Sequence, residues 1–146
     1  MKKFRFKLET VLRLKRRIEE ERQNQYGVAK RLRVEAERQV ERRREQIEIL
    51  LVSYQQSMVQ QFDLIDLNNY HNYLIWLDKM LELDITQLHA ARQKEIAALN
   101  ELIEASKERK MVDKLKDKAY EQYRIDEAQE ETKFLDELGT GRFTRQ

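Results

Sequence analysis

The sequence predicts an all-α protein, a long two-helix antiparallel coiled-coil hairpin, on three observations. The 146 residues contain no proline and only three glycines, so almost nothing punctuates a helix. Apolar side chains recur at threes and fours over long stretches. Charged residues reach 38% and the mean hydropathy is −0.87, which leaves too little apolar area for an ordinary globular core. A hydrophobic content of 40% with a net charge of only +2 argues against disorder.

The first helix is expected over about residues 5–60, with a stripe through Leu8, Val11, Ile18, Leu32, Ala36, Val40, Ile47, Leu50, Tyr54 and Met58. Lys15, Arg22, Gln25 and Arg43 fall where a strict heptad wants apolar groups, so looser packing and local mobility are expected there. With Phe4 placed on the same helix, Leu8, Val11, Leu12, Leu14 and Ile18 share one side. Lys2, Arg13, Arg16 and Arg17 then lie opposite, and Phe6 points away from the stripe.

The reversal is expected in QFDLIDLNN, residues 61–69, whose Asp63, Asp66, Asn68 and Asn69 are turn and cap formers among apolar side chains. The second helix follows over about 70–137, through Leu74, Leu77, Leu81, Leu88, Leu99 and Leu102, with Ala91, Ala98 and Ala105 at sevens and Val112, Leu115 and Ala119 beyond. Spacings of eleven (Leu77, Leu88, Leu99; Ile85, Ile96) predict local unwinding of the supercoil. Residues 138–146, with Gly139 and Gly141, are expected to form a mobile tail. The whole chain reads as one hairpin. Charge supports the antiparallel arrangement, because residues 1–45 hold 16 Lys and Arg against 8 Asp and Glu, whereas residues 113–137 hold 5 against 9.

No catalytic, cofactor or metal residues are assigned. His71 and His89 are 18 residues apart, about 27 Å along a helix, too far to share a metal. Glu130 with Glu131 and Asp136 with Glu137 are adjacent and read as solvated faces. Phosphate-binding glycine motifs are absent, and with no cysteine there is neither a thiolate nor a disulfide. No stretch approaches the roughly 18 uncharged apolar residues of a membrane span, and a cytoplasmic protein is expected. Trp76 lies off the stripe, either packing on the reversal at Phe62 to Leu67 or standing out as an anchor for a protein partner. The basic, aromatic start leaves open a solvated face, nucleic acid, an anionic membrane surface or a protein partner.

KFRFKLETVLRLKRRIEEE resembles the amino-terminal signature of the flagellar export protein FliJ family, an F-x-F followed by a leucine-rich charged helix. NYHNYLIWLDKML resembles its Tyr-rich restart of the second helix. KLKDKAYEQYRIDEAQEETKFLDELGTGRF resembles its carboxy-terminal run. The resemblance covers essentially the whole length. It implies a non-catalytic component of the flagellar type III export apparatus, similar to the central stalk of rotary ATPases and peripheral at the cytoplasmic face of the membrane. The implied partners are the hexameric flagellar export ATPase, the membrane export gate protein and substrate-specific export chaperones, with no nucleic acid and no cofactor. Carried over, the ATPase-facing tip is Phe4, Phe6, Leu8, Arg13, Arg16 and Arg17, opposed by Asp126, Glu127 and Asp136. The gate-facing surface near the reversal is Leu51, Tyr54, Tyr73 and Leu77, with Met58 and Met80 beside it. The competing readings are a structural scaffold that dimerises through the same stripe and a basic binder of nucleic acid or anionic lipid.

Overall fold

A computed structural model of the chain describes residues 2–59 and 63–144. The described residues form two helices, α1 (Glu9–Met58, 50 residues) and α2 (Leu64–Phe143, 80 residues), packed on each other as an all-α hairpin without strands.

Both helices differ at their ends from the sequence expectation. Helix α1 begins at Glu9 rather than near residue 5, because residues 2–6 run without regular structure against α2. Phe4 packs between Tyr120 and Tyr123, and the Tyr123 hydroxyl donates to the Lys2 carbonyl at 2.7 Å. Those tertiary contacts replace a further turn of helix. The Glu9 N–H then closes on the Phe6 carbonyl at 3.2 Å, and the Glu9 carboxylate sits in the first turn, where the helix dipole favours it.

Helix α2 starts at Leu64, not near 70, so Leu64 to Asn69 belong to its first turns. Asp63 holds the position before the helix and its carbonyl accepts the Leu67 N–H at 3.1 Å, while Asp66 places a carboxylate in the first turn. The part of the expected reversal at Gln61 and Phe62 lies outside the described residues. At the other end the expected tail is helical to Phe143. Each glycine there costs about 1 kcal/mol against alanine, but extending an existing helix needs no new nucleus and no proline blocks it. The Thr140 hydroxyl bonds back to the Asp136 carbonyl at 2.9 Å.

The contacts divide into two compact units, one containing residues up to Glu21 with Ile103 onward, the other Arg22–Leu102. In each, partner numbers on α2 fall as those on α1 rise, which makes the pairing antiparallel. In the second unit Arg22 meets Glu101, Arg33 meets Glu95, Arg43 meets Asp84 and Ser53 meets Tyr70.

The buried seam follows an alternating three–four spacing. In the second unit it runs through Tyr26, Ala29, Arg33, Ala36, Val40, Arg43, Ile47 and Leu50 on α1. Facing it on α2 are Leu74, Leu77, Leu81, Asp84, Leu88, Ala91, Glu95 and Ala98. In the first unit Leu12, Lys15 and Glu19 meet Ala105, Arg109, Val112 and Lys116. Leu12 and Leu77 are fully buried, each contributing about 1.5–3 kcal/mol by removal from water. The expected stripe is therefore correct at Ala36, Val40, Ile47 and Leu50 on α1 and at Leu74, Leu77, Leu81, Leu88, Ala91, Ala98, Ala105 and Val112 on α2, and it leaves the seam at a few positions. Leu32 is 58% exposed and Met58 is 62% exposed. Of the eleven-residue spacings, Leu77 to Leu88 lies in the seam, whereas Leu99, Ile85 and Ile96 are exposed, so the contact line follows the three–four spacing and not the elevens.

Lys15, Arg22 and Arg43 do sit in the seam, but each is joined to an α2 carboxylate, at 2.8 Å to Glu108, 3.0 Å to Glu101 and 2.9 Å to Asp84. The positions expected to be loosely packed are cross-linked by ion pairs. Gln25 is exposed beside the seam and accepts from Arg22 at 3.1 Å.

Candidate functional site

In the first unit residues 2–8 and α2 line an open groove of about 1250 Å³ between Phe4, Phe6, Leu8, Leu115, Ala119 and Tyr123. Lys2, Lys3, Arg5 and Lys7 surround it, with Asp126 on the α2 side. Phe4 meets Tyr120 edge-on at 5.2 Å and Tyr123 at 5.5 Å. Burial, and then the nearby Glu127 carboxylate, push the Tyr123 phenol upward, which keeps it protonated as the donor to Lys2. Phe6 is half-buried instead of turned outward, because residues 2–6 are not helical and the helical projection does not apply to them. Leu8 is 40% exposed.

The three arginines of the expected tip have separate fates. Arg16 pairs with Asp113 at 3.3 Å, whereas Arg13 and Arg17 are exposed and, among the described residues, have no ion-pair partner. Asp126, Glu127 and Asp136 do not oppose these arginines. The antiparallel register sets Arg16 against Asp113 and leaves the stretch from Ala119 to Asp126 for residues 2–8. Asp126 instead accepts from Gln122 at 2.9 Å.

Arg109 joins Glu19 across the helices and Asp113 at 2.7 Å along its own helix. The Arg109 guanidinium, with Arg16 nearby, holds the Asp113 carboxyl below its ordinary range. Glu9 pairs with Lys116 at 3.0 Å. Two of these cross-helix pairs thus place the cation on α2 and the carboxylate on α1, the reverse of the bulk charge difference between the arms.

In the second unit, the surface next to the reversal carries Leu51, Tyr54 and Tyr73. Tyr54 meets Tyr70 edge-on at 5.9 Å, and the Tyr70 and Ser53 hydroxyls are 3.0 Å apart. Hydrogen bonding by Ser53 and Ser57 lowers the Tyr70 phenol. A groove of about 260 Å³ opens between Leu50, Leu51, Tyr54, Leu67, Tyr70 and Leu74. Leu51 is 44% and Tyr73 46% exposed. Leu77 is fully buried between the helices and presents no surface to a partner, because it occupies a seam position. Met80 is half-buried and Met58 exposed.

Phe62, part of the surface expected to cover Trp76, lies outside the described residues, and Trp76 itself is 46% exposed. Its ring stacks on Tyr73 at 5.9 Å, and the Arg43 guanidinium lies 5.6 Å from its centroid. Trp76 is adjacent to the seam, at the level where Arg43 crosses to Asp84. The ion pairs of Arg33, Arg43 and Arg109 escaped the sequence reading, although their signal was present as charged residues on the three–four spacing.

Among the described residues no helix is long and apolar enough to cross a membrane, and no three His, Asp or Glu side chains are grouped to hold a metal. The described surface carries exposed aromatics, aliphatic grooves and, among the described residues, arginines without an ion-pair partner. Comparison with known families finds a match to the flagellar FliJ protein family over residues 4–146. No curated protein and no solved structure matches the chain.

Proposed function

Because the chain belongs to the FliJ family of flagellar proteins, and is thereby a component of the flagellar export apparatus, we propose that it acts as a non-catalytic stalk. In this reading Phe4, Phe6, Leu8 and the arginines Arg13 and Arg17 face the hexameric export ATPase. Leu51, Tyr54 and Tyr73 face the membrane export gate, with escort of export chaperones as a further role. The protein works at the cytoplasmic face of the membrane. The observation that carries the proposal is the state of the basic face. Arg13 and Arg17 are exposed and, among the described residues, have no ion-pair partner, beside a neighbour, Arg16, that is paired with Asp113. Within either unit two packed helices, each about 10–12 Å wide, are together about 20 Å across, narrow enough for the centre of a ring.

The test is the hydrolysis rate of the purified export ATPase with substoichiometric amounts of this protein. The wild type raises the rate, and Arg13→Glu with Arg17→Glu lowers the stimulation while circular dichroism stays unchanged. Equal stimulation by the variant removes the tip assignment, and no stimulation by the wild type favours a scaffold without ATPase coupling.

A further inference from the structure

The second unit has one side that the seam does not use. On α1 the positions flanking the seam on that side, Gln25, Leu32, Gln39, Gln46 and Ser53, carry no charge, where two-stranded coiled coils usually place Glu or Lys. Val28 and Ile49 lie beside them, and the register brings Tyr73, Trp76 and Leu83 of α2 to the same side. A groove of about 330 Å³ between Val28, Leu32, Ala90 and Ala91 confirms that both helices contribute. Val28, Leu32, Ile49, Tyr73, Trp76 and Leu83 are 46–68% exposed. The same side holds Arg31, Arg38, Arg42, Lys79 and Lys94 against Glu35, Glu45 and Glu101, with Arg42 paired to Glu35 at 3.4 Å. It is an apolar strip with basic edges.

An identical face is a poor partner, since basic edges repel. The chain itself carries the complement. From Arg124 to Phe143, α2 has six carboxylates against three cations, and Phe134, Leu135 and Leu138 are 53–66% exposed. Ile125 to Phe143 spans about 27 Å and Val28 to Ile49 about 32 Å at about 1.5 Å per residue, so the lengths match.

We propose that the acidic carboxy-terminal stretch of α2 in one molecule docks on this basic-edged apolar side of a second molecule. Exposed apolar area supplies the attraction, and charge complementarity selects the tail over a second copy of the face. The contact is heterologous, so one molecule offers the tail and the other the groove.

Sedimentation equilibrium of the full chain tests it. The wild type self-associates in the micromolar range, more weakly as salt rises. Leu83→Glu on the face and Leu135→Glu on the tail each weaken association about tenfold or more, equivalent to about 1.4 kcal/mol. Circular dichroism checks that both remain helical. Glu130→Lys with Glu131→Lys gives the same weakening without touching an apolar position. Mixing the Leu83→Glu and Leu135→Glu proteins restores a 1:1 complex, because one retains an intact tail and the other an intact face. A wild type that stays monomeric at about 100 μM in low salt overturns the proposal. So does a single variant that associates unchanged, or a mixture that does not recover.

Discussion

Arg43 on α1 donates its Nε–H to the Asp84 carboxylate on α2 at 2.9 Å, with side chains only 14% and 9% exposed. The guanidinium also lies over Trp76. A charge in the seam gains little over a well-packed apolar pair, because desolvation consumes most of the attraction, but removing one partner strands the other.

Arg43→Ala is therefore expected to destabilise the hairpin by about 3 kcal/mol, a loss read from urea unfolding followed by circular dichroism. The double variant Arg43→Leu with Asp84→Leu is expected to recover most of the loss. If the single variant is neutral, the pair does not hold the seam.

Leu12 and Leu77 are fully buried, whereas Leu64 is 80% exposed. Truncation of either buried leucine to alanine should cost about 2–5 kcal/mol, and Leu64→Ala should stay within about 0.5 kcal/mol. The ordering is checked in the same unfolding experiment.

Phe4→Ala removes the ring between Tyr120 and Tyr123, an interaction of about 0.5–1.5 kcal/mol beyond its area. Residues 2–7 should then become accessible, with trypsin cutting at Arg5 and Lys7 several-fold faster while the helical signal is unchanged. An unaltered cleavage rate would show that Phe4 does not hold this segment.

Acid should loosen both units. Arg109 lowers Asp113, and Arg92 followed by Arg33 lowers Glu37, so each folded carboxyl titrates below its unfolded value, which lies near 4. Their stabilisation is fully present above about pH 5 and is lost as pH falls through the lowered folded values. The melting temperature should hold from pH 7 to about 5 and fall below about 4. Asp113→Asn should start lower at pH 7 and show a shallower acid decline.

Much of the fold was legible because the absence of proline and the three–four recurrence are local properties of the chain. The seam was legible only in part. Val40, Leu77 and Leu88 announced themselves as apolar, but Glu19, Arg33, Asp84, Glu95 and Arg109 occupy equivalent seam positions and look like solvated charges one helix at a time. Their burial requires a partner more than 40 residues away in sequence. The candidate surfaces show the same division. Arg13 and Arg17 were readable as an outward basic face, whereas Leu77 was drawn into a docking surface because a sequence does not say which leucine the other helix covers.

By itself the sequence determined that the chain forms two long antiparallel helices, resembles the FliJ family and carries opposite charge on its two arms. Tertiary structure decided where those helices end and which residues remain free. Phe4 stops α1 at Glu9 by finding two tyrosines on α2, and Asp113 removes Arg16 from the exposed arginines. Helical periodicity is a property of neighbours in the chain. Pairing depends on register, and register exists only once the second helix is in place.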